Sequence, residues 1–239
     1  MISQLFHLYA DRWSFFLTLT LQHLEISLLA ILAAIIIGLG LGIFISRFRH
    51  TRKIILGLTN FIYTLPSIAL FGFLIPFSGI GDTTAVIALT IYALLPIVRN
   101  TYTGLTHIDP EIIEAARGMG STPFQILYRI QLPLAFPVIL SGLRNMVVMT
   151  IALAGIAAFI GAGGLGVAIY RGITTNNTTL TIAGSLLIAL LALCSDGLIS
   201  HYETYFKKKH SFKWSKVQGQ KSKVLPFKKF RLSALHLKP

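Results

Sequence analysis

Few side chains in this sequence could do chemistry. Eight acids and seven histidines are spread over 239 residues, and His107, His201 and His210 stand apart from one another. An enzyme needs His, Asp or Glu gathered to face a reacting group, and no such cluster is legible. The polar groups are densest, for the middle of the chain, between Asp109 and Pro133, in the stretch DPEIIEAARGMGSTPFQILYRIQLP. Its chemistry is that of a docking element: a carboxylate at Glu114 on a short helix, flanked by small residues and turns.

The local signals around Glu114 define two helices and a turn. Asp109-Pro110-Glu111 supplies a capping oxygen, a proline at the first helical position and an acid in the first turn. A helix is expected to about Arg117, where Gly118 and Gly120 offer positive-φ positions that end it. Thr122 and Gln125 are spaced as a capping box with Pro123 at the first position, so a second helix starts at once. It is expected to end near Leu132-Pro133. A rigid knob of this kind fits a groove on a partner.

The residues Glu114-Ala115-Ala116, Gly120, Ile130, Leu132 and Pro133 match, at the same spacing, the EAA loop of permeases from binding-protein-dependent ABC importers, and the chain resembles that family over roughly residues 18 to 203. The resemblance implies an all-α integral membrane protein of the methionine-permease type, with about five transmembrane helices and a cytoplasmic coupling loop at 109–133. It implies that the permease itself binds no cofactor and is no enzyme, with ATP bound and hydrolysed by a separate ATP-binding subunit docked on the loop. It also implies a second permease copy or paralogue, an extracytoplasmic substrate-binding protein, and a bacterial inner membrane.

Composition agrees with a membrane protein. The chain is 54% hydrophobic and 12% charged, against about 25% charged in a typical soluble domain. Residues 1–23 mix aromatic and polar groups and are expected at the outer interface, without the basic start of a cleaved signal. The permease domain is expected over 24–203. Its first span is Ile26 to Ser46, 21 residues without charge, with Gly38, Gly40 and Gly42 open to close helix approach. Arg47, Arg49, Arg52 and Lys53 follow, and the positive-inside rule puts them in the cytoplasm and the N-terminus outside. The second span, Ile54 to Phe77, contains Pro66 and should kink there. The third, Thr83 to Val98, either tilts little or extends through Asn100 and Tyr102. Arg99, Arg117 and Arg129 keep the 109–133 loop inside. The fourth starts at about Pro137 and carries Arg144, expected near the inner interface; the fifth, Leu180 to Ser200, carries Asp196, expected to pair with a basic neighbour or be hydrated.

Two further stretches suggest chemistry that the pattern does not support. The glycine run 161–166 lacks the Lys and Ser/Thr of a phosphate loop. The cytoplasmic tail 204–239 holds eleven of the 21 basic residues, with aromatics between them, and no acid from Lys207 onward; this suits anionic lipid better than nucleic acid. Its contacts with lipid would weaken with salt.

Substrate is read from finer likeness: 114–145 and 160–193 are similar to permeases for osmoprotectants such as glycine betaine, carnitine or choline, with methionine and amino-acid permeases as the alternative. A quaternary ammonium is well held by aromatic faces, which makes Tyr63 beside Pro66, and Tyr92, candidates for the translocation path. A membrane scaffold that recruits a soluble partner is the alternative of another class.

Overall fold

The computed structural model describes the backbone of residues 2–224 and the side chains of residues 2–205, Arg49 aside. All regular structure among them is helical. Contacts divide the chain into a bundle through Ser200 and a segment from His201. The aromatic and lysine side chains of the basic tail, and any role in lipid or salt sensing, lie outside the described residues.

Helix α1 (Ile2–Asp11) is followed at once by α2 (Trp13–Arg47), of 35 residues. The expected first span begins well inside α2, which runs unbroken through residues 13–25. Its buried positions explain the continuity: Phe16, Leu19, His23, Ile26 and Ala30 recur at helical spacing from its beginning. Helix α1 packs Leu5, Leu8 and Tyr9 onto an apolar cluster, and the Tyr9 hydroxyl donates to the Ala183 carbonyl at 2.8 Å.

The proline at 66 does more than kink a span. Helices α3 (Arg49–Thr64) and α4 (Ser67–Ser78) meet at 104°. Leu65, held extended (ψ 140°) by the following ring, ends α3, and Pro66 opens α4. Among the described residues four helices are long and apolar enough to cross a membrane, and the bent pair makes a fifth if it counts as one span.

Helix α5 (Asp82–Thr106) is the centre of the bundle and packs against α2, α3, α4 and α8. It is 25 residues long, so the expected short third span extends through Asn100 and Tyr102. More than half of its apolar window is buried (56%), against 17% for α10. Helices α2 and α5 run the same way, since Gly38 lies on Ile97 and Gly42 on Thr101. The Arg52 guanidinium sits over the Tyr102 ring at 4.8 Å, which brings the basic start of α3 to the same end.

After α6 (Pro110–Gly118) and α7 (Pro123–Ile126) comes a π-helical turn, Leu127–Gln131, that leads directly into α8 (Leu132–Ala154). The expectation that the second loop helix ends near Leu132-Pro133, and that the next span starts at about Pro137, is therefore corrected. Pro133 lies in the first turn of α8 and Pro137 is accommodated inside it. The Leu132 amide bonds the Leu127 carbonyl; the turn widens just before the Pro133 ring would meet the carbonyl four residues back. A short 3-10 turn, Ala157–Ile160, then the glycine run, lead to α9 (Gly166–Thr174). Helix α10 (Thr178–Val224) completes the described chain.

Three glycines expected to act alike separate. A Cβ built at Gly38 would lie 2.1 Å from Ile97 Cγ2 and at Gly42 2.5 Å from Thr101 Cβ, whereas at Gly40 it meets nothing within 4 Å. Replacing Gly42 by Ala is expected to cost about 1–3 kcal/mol through overpacking, read as a lower unfolding temperature of the purified protein in detergent. Gly40→Ala should leave that temperature unchanged or slightly raised.

Candidate functional site: a capped loop continuous with a span

The 109–133 loop is built from backbone groups satisfied locally. The Asp109 carboxylate accepts from the Glu111 amide at 3.0 Å, which caps α6. At the other end Gly120, at φ +82°, closes a Schellman motif: its amide bonds the Arg117 carbonyl at 2.9 Å, and the Ser121 amide bonds the Ala116 carbonyl at 3.1 Å. Gly118 stays helical. One residue later the Thr122 hydroxyl accepts from the Gln125 amide at 3.3 Å and the Gln125 side chain accepts from the Thr122 amide at 2.8 Å, the reciprocal capping box.

The motif residues divide by exposure. Glu114, Ala115, Gly120 and Pro133 are exposed, Ile130 and Leu132 are half-buried, and Ala116 is buried. Ala116 and Ile126 are the buried residues of α6 and α7, which pack together. Leu127 and Leu132 pack on the core cluster that holds Ile97, Leu105 and Ala135. The loop is thus seated on the bundle through its second half while its tip stands clear.

At that tip three apolar side chains were not singled out by sequence. Met119 is 79% exposed, Phe124 73% and Tyr128 67%. The Phe124 and Tyr128 rings lie parallel within 4°, centroids 6.3 Å apart; their i, i+4 spacing after a capping box was the available signal. Together with exposed Glu111, Glu114, Arg117 and Arg129 they form an apolar patch within charges of both signs, the composition of a protein-docking surface.

The three candidate path residues meet at the 104° bend. The Tyr92 hydroxyl donates to the Leu65 carbonyl, a group freed by the end of α3. The Tyr63 hydroxyl reaches Met149 Sδ at 3.3 Å, and the two rings lie edge to face with centroids 6.3 Å apart. Tyr92 is buried and braces the bend; Tyr63 and Pro66 are exposed.

Elsewhere, Arg144 and Asp196 form a bidentate pair, Nε to Oδ1 at 2.6 Å and Nη2 to Oδ2 at 2.7 Å. The basic neighbour expected for Asp196 is therefore Arg144 itself, across α8 and α10. In the glycine run the Gly163 amide is bonded to Asp82 Oδ1 at 2.8 Å and the Gly164 amide to Gln22 Oε1 at 3.3 Å. Those amides fasten the loop to α5 and α2 and are not presented to a phosphate. Buried His23 beside it bonds the Ile151 carbonyl through Nε2 at 3.0 Å.

A bundle of apolar helices carrying an exposed, capped two-helix knob defines a multi-pass membrane protein. Residues 30–208 match the family described as binding-protein-dependent transport system inner membrane component, and the chain belongs to that family. It is 46% identical over 198 residues to the osmoprotectant import permease protein OsmW of Salmonella typhimurium, covering 81% of this chain and 92% of that protein. It is 39% identical over 196 residues to the glycine betaine/carnitine/choline transport system permease protein OpuCD of Bacillus subtilis, covering 82% and 86%. With the ergothioneine transport permease/ergothioneine binding protein EgtU of Helicobacter pylori it shares 44% identity over 190 residues, 80% of this chain but only 34% of that longer protein. Among solved structures, an inward-facing form of the MetNI methionine ABC transporter matches with a TM-score of 0.74 at 23% identity, over 80% of this chain and 95% of that one. That likeness establishes the fold.

The Schellman turn gives a local test. A Cβ at Gly120 would meet nothing within 4 Å, so the demand for glycine is conformational. Gly120→Ala is expected to weaken the turn by about 1–2 kcal/mol, seen as exchange of the Ser121 amide accelerated roughly tenfold. Gly118→Ala should leave that exchange unchanged or slower.

Proposed function

We propose that this chain is the permease subunit of an ATP-driven importer for small quaternary ammonium osmoprotectants, with glycine betaine, carnitine and choline as the substrate class. ATP is bound and hydrolysed by a separate subunit that docks on the α6–α7 knob, the permease itself being non-catalytic. The observation that carries the reading is the loop's construction: its tip is exposed and capped at both helices, and its second half runs without a break into α8. A push on the knob is delivered to the bundle as movement of one helix. Glu114, exposed on α6, orients the docked subunit by its charge, with Ala115, Ala116, Gly120, Ile130, Leu132 and Pro133 shaping the knob.

The basic groups at the loop end support a cytoplasmic loop, with the N-terminus outside and the C-terminus inside, since Arg52 of the α3 start stacks on Tyr102 near the end of α5 that leads into the loop. A second permease chain completes the pathway, and an extracytoplasmic binding protein delivers the solute. The substrate class is supported by the relatives named for osmoprotectants, and the exposed ring of Tyr63 at the bend supplies an aromatic face of the kind a trimethylammonium group prefers. Ergothioneine carries the same trimethylammonium group, so the likeness to the ergothioneine permease favours it as a second substrate.

The test is uptake of labelled glycine betaine by cells lacking their own importers and supplied with this chain and its ATP-binding and binding-protein subunits. Carnitine, choline, ergothioneine and methionine serve as competitors. ATP-dependent betaine uptake, competed by the trimethylammonium compounds and reduced at least about tenfold by Glu114→Lys, is the expected result. Competition by methionine alone would overturn the substrate class. Full uptake with Glu114→Lys would overturn the role of that carboxylate.

A further inference from the structure

The bidentate pair between Arg144 and Asp196 joins two of the long apolar helices, α8 and α10. Each side chain is about one-third exposed, 32% and 34%. A charge in hydrocarbon is tolerated when it is paired, and an unpaired one is costly. The question is what this pair holds together.

Helix α10 is the least buried of the spans. Toward the glycine-run end it is fixed to the bundle by small and apolar contacts: Tyr9 bonds the Ala183 carbonyl, and Gly184 allows α9 to approach so closely that a Cβ there would lie 3.0 Å from Ala168 and Ile169. Next along the helix, Gly155 at the end of α8 lies so near Ile188 of α10 that a Cβ there would come within 2.8 Å of Ile188 Cδ1. Beside that contact the two helices line an apolar cleft of about 360 Å³, with Ala152 and Gly155 from one and Ile188, Ala189 and Ala192 from the other. Asp196 comes one turn after Ala192, and there the guanidinium of Arg144 meets it. Arg144 in turn stands about three turns along α8 from Leu132 of the loop motif.

We infer that the Arg144–Asp196 pair is a positioning device of the transport cycle, a tie beyond the cleft that makes α10 follow α8 when the docked subunit moves the loop. The inference rests on the proposed coupling through α6–α7. Arg144 delivers two donors in a fixed plane to both carboxylate oxygens, so the tie resists rotation of one helix against the other as well as separation. Apolar contacts at the far end of α10 serve as the pivot. Without the tie, α8 can move while α10 stays behind, and ATP is consumed with less transport.

The experiment uses the assembled complex in proteoliposomes, with Asp196→Asn, Arg144→Lys and the exchanged pair Arg144→Asp/Asp196→Arg. Spin labels at Val138→Cys on α8 and Leu190→Cys on α10, in a Cys194→Ser background, report the distance between the helices with and without ATP and vanadate. The unaltered pair should give the same distance within one chain in both states, with distances between two copies identified from the singly labelled chains. Asp196→Asn should broaden or split it, and glycine betaine carried per ATP hydrolysed should fall about five- to tenfold. Arg144→Lys, which keeps the charge but loses the planar fork, should fall between, and the exchanged pair should recover both readouts. Unchanged distances and unchanged transport per ATP in Asp196→Asn would overturn the tie. So would an exchanged pair that recovers only the amount of assembled protein. A complex of the unaltered chain that hydrolyses ATP yet carries no betaine would refute the substrate reading instead, while the distances still decide the tie.

Discussion

In a bundle of this composition every backbone amide at membrane depth must find its partner inside its own helix or on a neighbour, because hydrocarbon offers none. The structure follows from how that constraint is met at the prolines. At Pro66 the helix is abandoned: Leu65 goes extended, the chain turns by 104°, and the Leu65 carbonyl is recovered by the Tyr92 hydroxyl from the central helix. At Pro96, inside α5, the helix goes on without the amide that would have bonded the Tyr92 carbonyl, and the Asn100 side-chain amide adds a bond to the Pro96 carbonyl at 2.8 Å. At Pro133 the turn widens and the helix goes on. The last solution makes the loop and α8 one body.

The same constraint explains why small residues organise the interfaces. Helices that share no hydrophobic driving force within lipid gain from close packing, and glycine permits it. Gly38 and Gly42 seat α2 on α5, while Gly142 of α8 lies so near Asn100 that a Cβ would come within 2.4 Å of the Asn100 Cβ. Gly104 and Ala135 meet in the same way at the loop end. Helix α5 is therefore clasped on two sides, by α2 and α8, and the loop's second half rests on this clasp. Helix α10 is seated by the same device toward the glycine-run end, where Gly155 lies on Ile188 and Gly184 on Ala168, and by the Arg144–Asp196 pair further along.

What was legible in the sequence was local. Asp109, Thr122, Gln125 and Gly120 act through atoms within a few residues of themselves, so their caps and turns follow from types and spacing. Pro133 was ambiguous, since a proline after an apolar residue stops one helix or opens another with the same residues; the widened turn that settles it depends on Leu127 and Leu132 having a core to rest on. The pairing of Arg144 with Asp196, 52 residues apart, and of Tyr92 with Leu65 needed the third dimension. The long reach of α2 was obscured by Arg12 and Glu25, charges that read as an interface although the buried face beneath them is continuous. Phe124 and Tyr128 were readable as one face from their i, i+4 spacing, but that this face and Met119 point outward followed only once Ala116 and Ile126 were seen to occupy the inward side.

The central claim is that the α6–α7 tip is the surface on which the ATP-binding subunit sits. It is tested most directly by cross-linking the assembled complex with a short thiol-reactive reagent after placing a single cysteine at Met119, in a Cys194→Ser background, beside a control with the cysteine at Phe77, which is equally exposed but lies at the end of α4. A cross-link from position 119 to the ATP-binding subunit, with a yield that changes when ATP is added, is expected, and none from position 77. Cross-linking from 77 and not from 119 would contradict it.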